Sequence, residues 1–160
     1  MYKTTFIISV IFLFSFASLA QNQEYNHAHE DEHHHGHEIG ASITPVYFAN
    51  EAELSISTHL HYVYNFEHTK LGLGVGYERV FDEHKHNFIG VELNYRPVHR
   101  LTFSLSPGVV FEGDEKDFAL HFETVYEFEF GAFHIGPVLE LAWHPEDYHI
   151  GLGIHIGLGL

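Results

Sequence analysis

From Glu38 to the last residue, apolar and polar side chains alternate almost without interruption. A period of two sends successive side chains to opposite sides of an extended ribbon, so the pattern commits the chain to strands with one greasy and one polar face. Residues 51–64 set Ala52, Leu54, Ile56, Thr58, Leu60, Tyr62 and Tyr64 against Glu51, Glu53, Ser55, Ser57, His59, His61 and Val63. Near the C-terminus, Ile150, Leu152, Ile154, Ile156, Leu158 and Leu160 stand against His149, Gly151, Gly153, His155, Gly157 and Gly159. Eight such runs are legible, at 38–48, 51–64, 70–81, 87–96, 101–112, 117–129, 132–144 and 147–160. The breaks between them are short and rich in Asn, Asp, Gly, Pro and charge, which forces antiparallel neighbours. No amphipathic helix is needed, and the fold class is all-β.

Alternation does not say which face meets solvent. A water-soluble barrel buries its apolar face, and a membrane barrel turns it outward to lipid. Three features predict the outward arrangement. The apolar face carries large Leu, Ile, Phe and Tyr with almost no charge at strand centres. The polar face carries Gly72, Gly74, Gly76, Gly90, Gly151, Gly153, Gly157 and Gly159, and glycine weakens a solvent-facing strand but makes room in a narrow interior. The runs are about 10–13 residues long, in the range of tilted membrane strands. Tyr47, Tyr62, Tyr64, Tyr77, Tyr95, Tyr126, Trp143 and Tyr148 gather toward run ends, as an interfacial girdle does.

Residues 1–20 read as an export signal, with Lys3, an apolar stretch from Phe6 to Phe16 and a small-residue cleavage site at Ser18-Leu19-Ala20. There is no cysteine, which excludes disulfides, thiolate metal sites and a lipoprotein anchor. Losing residues 1–20 removes only Lys3 among charged residues, so the mature chain is one unit more negative than the −15 of the whole. Such an acidic chain has no basic face for nucleic acid, and cations are its expected partners. Residues 21–37, QNQEYNHAHEDEHHHGH, are polar and of low complexity and predict a disordered tail before the barrel of 38–160.

The pattern over residues 38–160 resembles the small eight-stranded bacterial outer-membrane barrels of the OmpA-, OmpX- and OmpW-like group. The resemblance lies in the pattern and carries no diagnostic motif. It implies an eight-stranded antiparallel up-and-down transmembrane β-barrel in the cell outer membrane, with lipid as a partner and both termini facing the periplasm. Two features depart from it. Such barrels usually end in an aromatic residue, and this chain ends in Leu160. Pro107 and Pro137 fall inside runs, where each removes a ladder hydrogen bond, and local bulges beside Gly108 and Gly136 are expected.

With the polar face inward, the lumen of so small a barrel is filled by side chains. It would hold Glu53, Glu78, Glu92, Glu123, Glu127 and Glu140 with Arg96 as the strong base. Unpaired carboxylates there are costly, so they must be protonated, paired with imidazolium, solvated or metal-bound. Two-residue turns at Phe130-Gly131 and Pro145-Glu146 would set Glu127 opposite His134, His121 opposite Glu140, His155 opposite Gly136 and His149 opposite Ala142. The second and third hairpins would set His59 and His61 opposite Gly76 and Gly74, and Gly76 opposite Glu92. Around His59, His61, Glu92, His121 and Glu123 two readings stand: a hydrogen-bonded Glu–His plug, which is preferred, and a divalent metal site.

The tail argues more strongly for metal. His27, His29, His33, His34, His35 and His37 put six imidazoles in eleven residues among Glu30, Asp31, Glu32 and Glu38. Neutral imidazole suits Zn²⁺, Ni²⁺ or Cu²⁺, and affinity falls as pH drops through a His pKa of ~6.5. His84 and His86 offer a weaker pair in a loop. The expected function is a non-enzymatic outer-membrane barrel that binds or buffers divalent metal, an accessory to a metal uptake or tolerance system. A structural or lipid-contacting barrel, a lipid-modifying enzyme and a passive channel are the alternatives. No His-x-Ser arrangement supports the enzyme, and eight strands leave too little lumen for the channel.

Overall fold

The computed structural model describes residues 36–83 and 85–160. Its strands are β1 (His37–Phe48), β2 (Glu53–Asn65), β3 (Leu71–Val80), β4 (Asn87–Val98), β5 (Leu101–Glu112), β6 (Glu115–Tyr126), β7 (Phe128–Phe130), β8 (Phe133–Trp143) and β9 (Tyr148–Gly159). Every strand pairs antiparallel with its chain neighbour except β6 with β7, which both pair with β8, and β1 pairs with β9, so the sheet closes on itself. β6 and β7 form one stave interrupted at Glu127, whose N–H donates to the Arg100 carbonyl at 2.8 Å. The result is the expected eight-staved barrel. β1 begins one residue earlier than the sequence pattern predicts, at His37.

The barrel is inverted. Ile43, Leu60, Val75, Val91, Leu139 and Ile154 point outward and are exposed, while Glu78, Glu92, Glu140 and His155 are buried inside. An apolar surface that continues around the whole sheet far exceeds the few-hundred-Å² patches of water-soluble monomers and matches a lipid-facing wall. Glycines on the inner face let neighbouring strands come close. A Cβ on Gly74, Gly108, Gly136 or Gly153 would strike a carbonyl oxygen of the adjacent strand.

The register corrects three expectations and meets one. Pro145-Glu146 turns as expected, with His155 opposite Gly136 and His149 opposite Ala142. The preceding turn is Gly131-Ala132, one residue later than expected. Gly131 has φ 69°, and a left-handed glycine at the first of two turn positions is the requirement of a II′ hairpin. Moving a turn by one residue moves the register by two, so Glu123 faces Glu140, His121 faces Ala142 and Glu129 faces His134. The second hairpin closes where the Phe66 N–H donates to the Leu71 carbonyl at 3.0 Å, which sets His59 opposite Glu78 and His61 opposite Gly76. In the third, Gly76 faces Gly90, and Glu92 faces Gly74. A shift of two keeps every side chain on its own face.

The prolines also differ from expectation. No register shift accompanies Pro107 or Pro137; instead the ladder lapses there and resumes in step. The β4–β5 pairing passes from Gly90–Gly108 to Leu93–Leu105, and pairing along β8 passes from Val125–Val138 to Phe128–Ile135. Pro45 does the same on the β9 side of β1, between Ile43–Ile154 and Val46–Gly151. The register shift lies instead between Tyr95 and Val98, around Pro97, so β4 runs on through a segment whose composition reads as a turn.

Candidate functional site

Among the described residues, the lumen is a column of buried polar side chains, many of them in imidazole–carboxylate contact. At the end away from β1's start, the mouth is capped by His86, which the β3–β4 turn folds inward. Its Nδ1 pairs with Asp82, its Nε2 lies 3.3 Å from Glu112, and its ring stacks on Phe48 at 5.4 Å. His144 lies beside it, with ring centroids 5.5 Å apart. Burial, and then the nearby His86 and His149, hold the His144 imidazole below its ordinary pKa. Asp147 accepts backbone N–H bonds from Asn50 at 2.9 Å and Tyr148 at 2.6 Å, tying the first and last turns together. Val80, Phe88, Val110 and Ala119 fill the space beneath.

Below the cap, β3, β6, β8 and β9 contribute two imidazole–carboxylate pairs. His121 Nδ1 lies 2.8 Å from Glu78, with its ring flat on Phe88 at 3.8 Å. His149 Nε2 lies 2.9 Å from Glu140 and 3.7 Å from Glu78. The Ser57 hydroxyl donates to the other Glu140 oxygen at 3.4 Å.

Next come β2, β4 and β6. His59 Nδ1 lies 2.6 Å from Glu123, leaving Nε2 3.9 Å from Glu92. His61 Nδ1 lies 3.7 Å from the same Glu92 oxygen. At the end that holds β1's start, the two Nε2 atoms of His61 and His155 are 3.4 Å apart, and His155 stacks on His134 at 5.3 Å. His134 Nε2 lies 3.3 Å from Glu38. Arg96 pairs with Glu38 and donates to Thr102 at 3.1 Å, and Thr102 donates to Glu127 at 2.6 Å.

The structure therefore brings His59, His61, Glu92 and Glu123 together, and it sets His121 apart, in the Glu78 pair. His37 lies outside the lumen, on the outer wall, where its ring stacks on Tyr62 and bonds that hydroxyl at 2.5 Å. His27, His29, His33, His34, His35 and His84 fall outside the described residues. The sequence reading missed Glu38, which it set beside the tail; a buried position two residues before the inward Gly40 is the signal that places it. It also missed the Glu78–His121 and Glu140–His149 pairs, which depend on the turn positions.

No protein-family model matches the chain, and no curated protein matches it. Solved structures do. Neisserial surface protein A is similar at 12% identity and a TM-score of 0.60, over 78% of this chain and 97% of that one. A de novo designed transmembrane β-barrel is similar at 16% identity and a TM-score of 0.54, over 77% and 96% of the two chains. At such identities the likeness is one of fold. Together with the closed eight-staved wall and its outward apolar face, it gives this chain the fold of the small outer-membrane-type β-barrels.

Proposed function

We propose that the chain is a non-enzymatic outer-membrane barrel that anchors a divalent-metal-binding, histidine-rich segment, residues 21–37, at the periplasmic face. One observation carries this reading: among the described residues, buried His–Glu and Arg–Glu contacts recur along the whole length of the lumen, and a lumen so filled favours a barrel that does not conduct. A barrel that does not conduct acts through its outer wall or through what it carries. What this one carries ahead of β1 is a segment with five histidines in nine residues, His27 to His35, with His37 as the first residue of the strand. Several turns are only two residues long, such as Gly131-Ala132 and Pro145-Glu146, and they leave no walls for a substrate cleft. An even stave number puts β1's start and β9's end on one side, and with that side periplasmic the segment samples periplasmic Zn²⁺, Ni²⁺ or Cu²⁺ as part of metal uptake or tolerance.

The test is calorimetric titration of Zn²⁺ into the full chain in detergent micelles, beside a version with the tail histidines changed to alanine. The native chain should bind additional ions that the substituted chain does not. Equal binding by both refutes the metal role and leaves a structural, lipid-contacting barrel. Planar-bilayer recordings should show no conductance, and a large ohmic one would overturn the closed lumen.

A further inference from the structure

We propose that the lumen contains a divalent transition-metal site of its own, with His59 Nε2, His61 Nδ1 and Glu92 as ligands and Glu123 orienting His59. This site is separate from the segment at 21–37 and stands or falls without it.

The argument is one of lone pairs. His59 Nδ1 lies 2.6 Å from a Glu123 oxygen but outside hydrogen-bond geometry, and neither ring nitrogen has a hydrogen-bond partner among the described residues. The tautomer with its proton on the Glu123 side turns the Nε2 lone pair toward Glu92. His61 Nε2 faces His155 Nε2 at 3.4 Å; with its proton donated there, Nδ1 is left as an acceptor. Both lone pairs meet the same Glu92 oxygen, at 3.9 Å from His59 and 3.7 Å from His61. Three acceptors thus converge with no hydrogen among them. Glu92 is 1% exposed, and neither of its oxygens has a hydrogen-bond partner among the described residues. Leaving such a group bare is costly, and a cation removes the cost.

The spacing fits an ion. Ligands at ~2.0–2.2 Å from a Zn²⁺-like centre lie roughly 3.4 Å apart when tetrahedral. The two sides at Glu92, 3.9 and 3.7 Å, need a contraction of a few tenths of an ångström, and the third, between the imidazoles, is within 4.8 Å. Two neutral imidazoles and one carboxylate favour Zn²⁺ or Co²⁺ over the oxygen-seeking Mg²⁺ and Ca²⁺. Glu92 and Glu123 together balance the two positive charges. Glu123 on the far nitrogen of His59 is the carboxylate–histidine support that metal-ligating imidazoles ordinarily have. The backbone makes room at this level. A Cβ on Gly76 would stand 2.5 Å from His59 Nε2 and 3.3 Å from Glu92. The other two His–carboxylate groupings are less suited, since Glu38 already holds Arg96, and Glu78 and Glu140 each have an imidazole within 2.9 Å.

The experiment uses the full chain with His27, His29, His33, His34, His35 and His37 changed to alanine, refolded in detergent with Co²⁺ and then freed of unbound ion. Metal content and visible ligand-field absorption are read on protein whose folding is checked by heat-modifiable migration. The expected result is close to one ion per chain, with the absorption of a four- or five-coordinate centre. Glu92→Gln, which keeps the side-chain shape, and Gly76→Ala, which fills the space, should lose it. Glu123→Gln should weaken it by about 10–100-fold, as loss of a supporting carboxylate does. Folded parent protein that retains no ion overturns the proposal, as does undiminished binding in Glu92→Gln or Gly76→Ala. If Glu92→Gln does not fold, Gly76→Ala and Glu123→Gln decide the matter. Failure of the tail reading appears separately, as an unchanged ion count when the tail histidines are restored.

Discussion

Changing Ile154 to arginine separates a lipid-facing wall from a water-facing one. Ile154 is the seventh of twelve residues in β9, is 48% exposed, and sits beside Ile43 of β1. Twelve residues rising ~3.3 Å each and tilted ~40° span roughly 30 Å along the barrel axis, so Ile154 stands near mid-height of an apolar band ~25 Å tall. An arginine at that depth costs about 2–4 kcal/mol in a bilayer, against about 0–1 kcal/mol near the rim. Leu54, the second residue of β2 and 72% exposed, is the rim comparison. With a urea dependence of ~2 kcal/mol per molar, a 3 kcal/mol loss lowers the unfolding midpoint by ~1.5 M. The assay is urea unfolding of vesicle-embedded protein, followed by fluorescence of the chain's one tryptophan, Trp143, itself on the outer wall. Ile154→Arg should shift the midpoint by that amount and Leu54→Arg by little. If both changes fall within about 0.5 kcal/mol of the parent, as surface substitutions in water do, the outward face does not meet hydrocarbon.

Three further outcomes follow from the interior. His121→Leu removes the 2.8 Å partner of Glu78, and breaking such a buried pair should cost about 3–5 kcal/mol in the same urea assay. Gly153→Val places a branched side chain against the Ile43 carbonyl and Thr44, and the folded band should disappear at lower temperature, with a loss of about 1–3 kcal/mol. His144 resists protonation when folded, so the unfolded chain takes up its proton first; stability should be full above pH ~6.5 and decline below it. His144→Gln should therefore lose less stability than the parent between pH 7.5 and 5.5, and an equal loss would contradict the placement of His144 beside His86.

Most of the barrel was legible because period two survives small errors. The faces of residues 51–64 and 147–160 follow from alternation alone, and a turn misplaced by one residue leaves them intact. Partners are more fragile. Gly131 marked the sixth hairpin, but reading the turn as Phe130-Gly131 rather than Gly131-Ala132 moved every facing residue of β8 by two and hid the Glu123–Glu140 juxtaposition. The gathering of His59, His61 and Glu92 could be anticipated only loosely, since it depends on side chains from β2 and β4, which β3 separates. The cap was not legible at all: His86 enters the mouth because Lys85 adopts φ 60°, a left-handed conformation that its residue type does not announce.

Pro45 bears on what happens before the cylinder exists. The joint that completes it runs between the first and last staves, and until they meet both present bare margins to any other copy. The pairing of β1 with β2 runs straight through Pro45, while its pairing with β9 skips Thr44 and Pro45, so the imino acid blunts the margin that must stay unclaimed longest. A half-built sheet with such a gap is a poor template for strangers, yet β9 can still dock on either side of it, and the lapse in the finished wall is the trace of that safeguard.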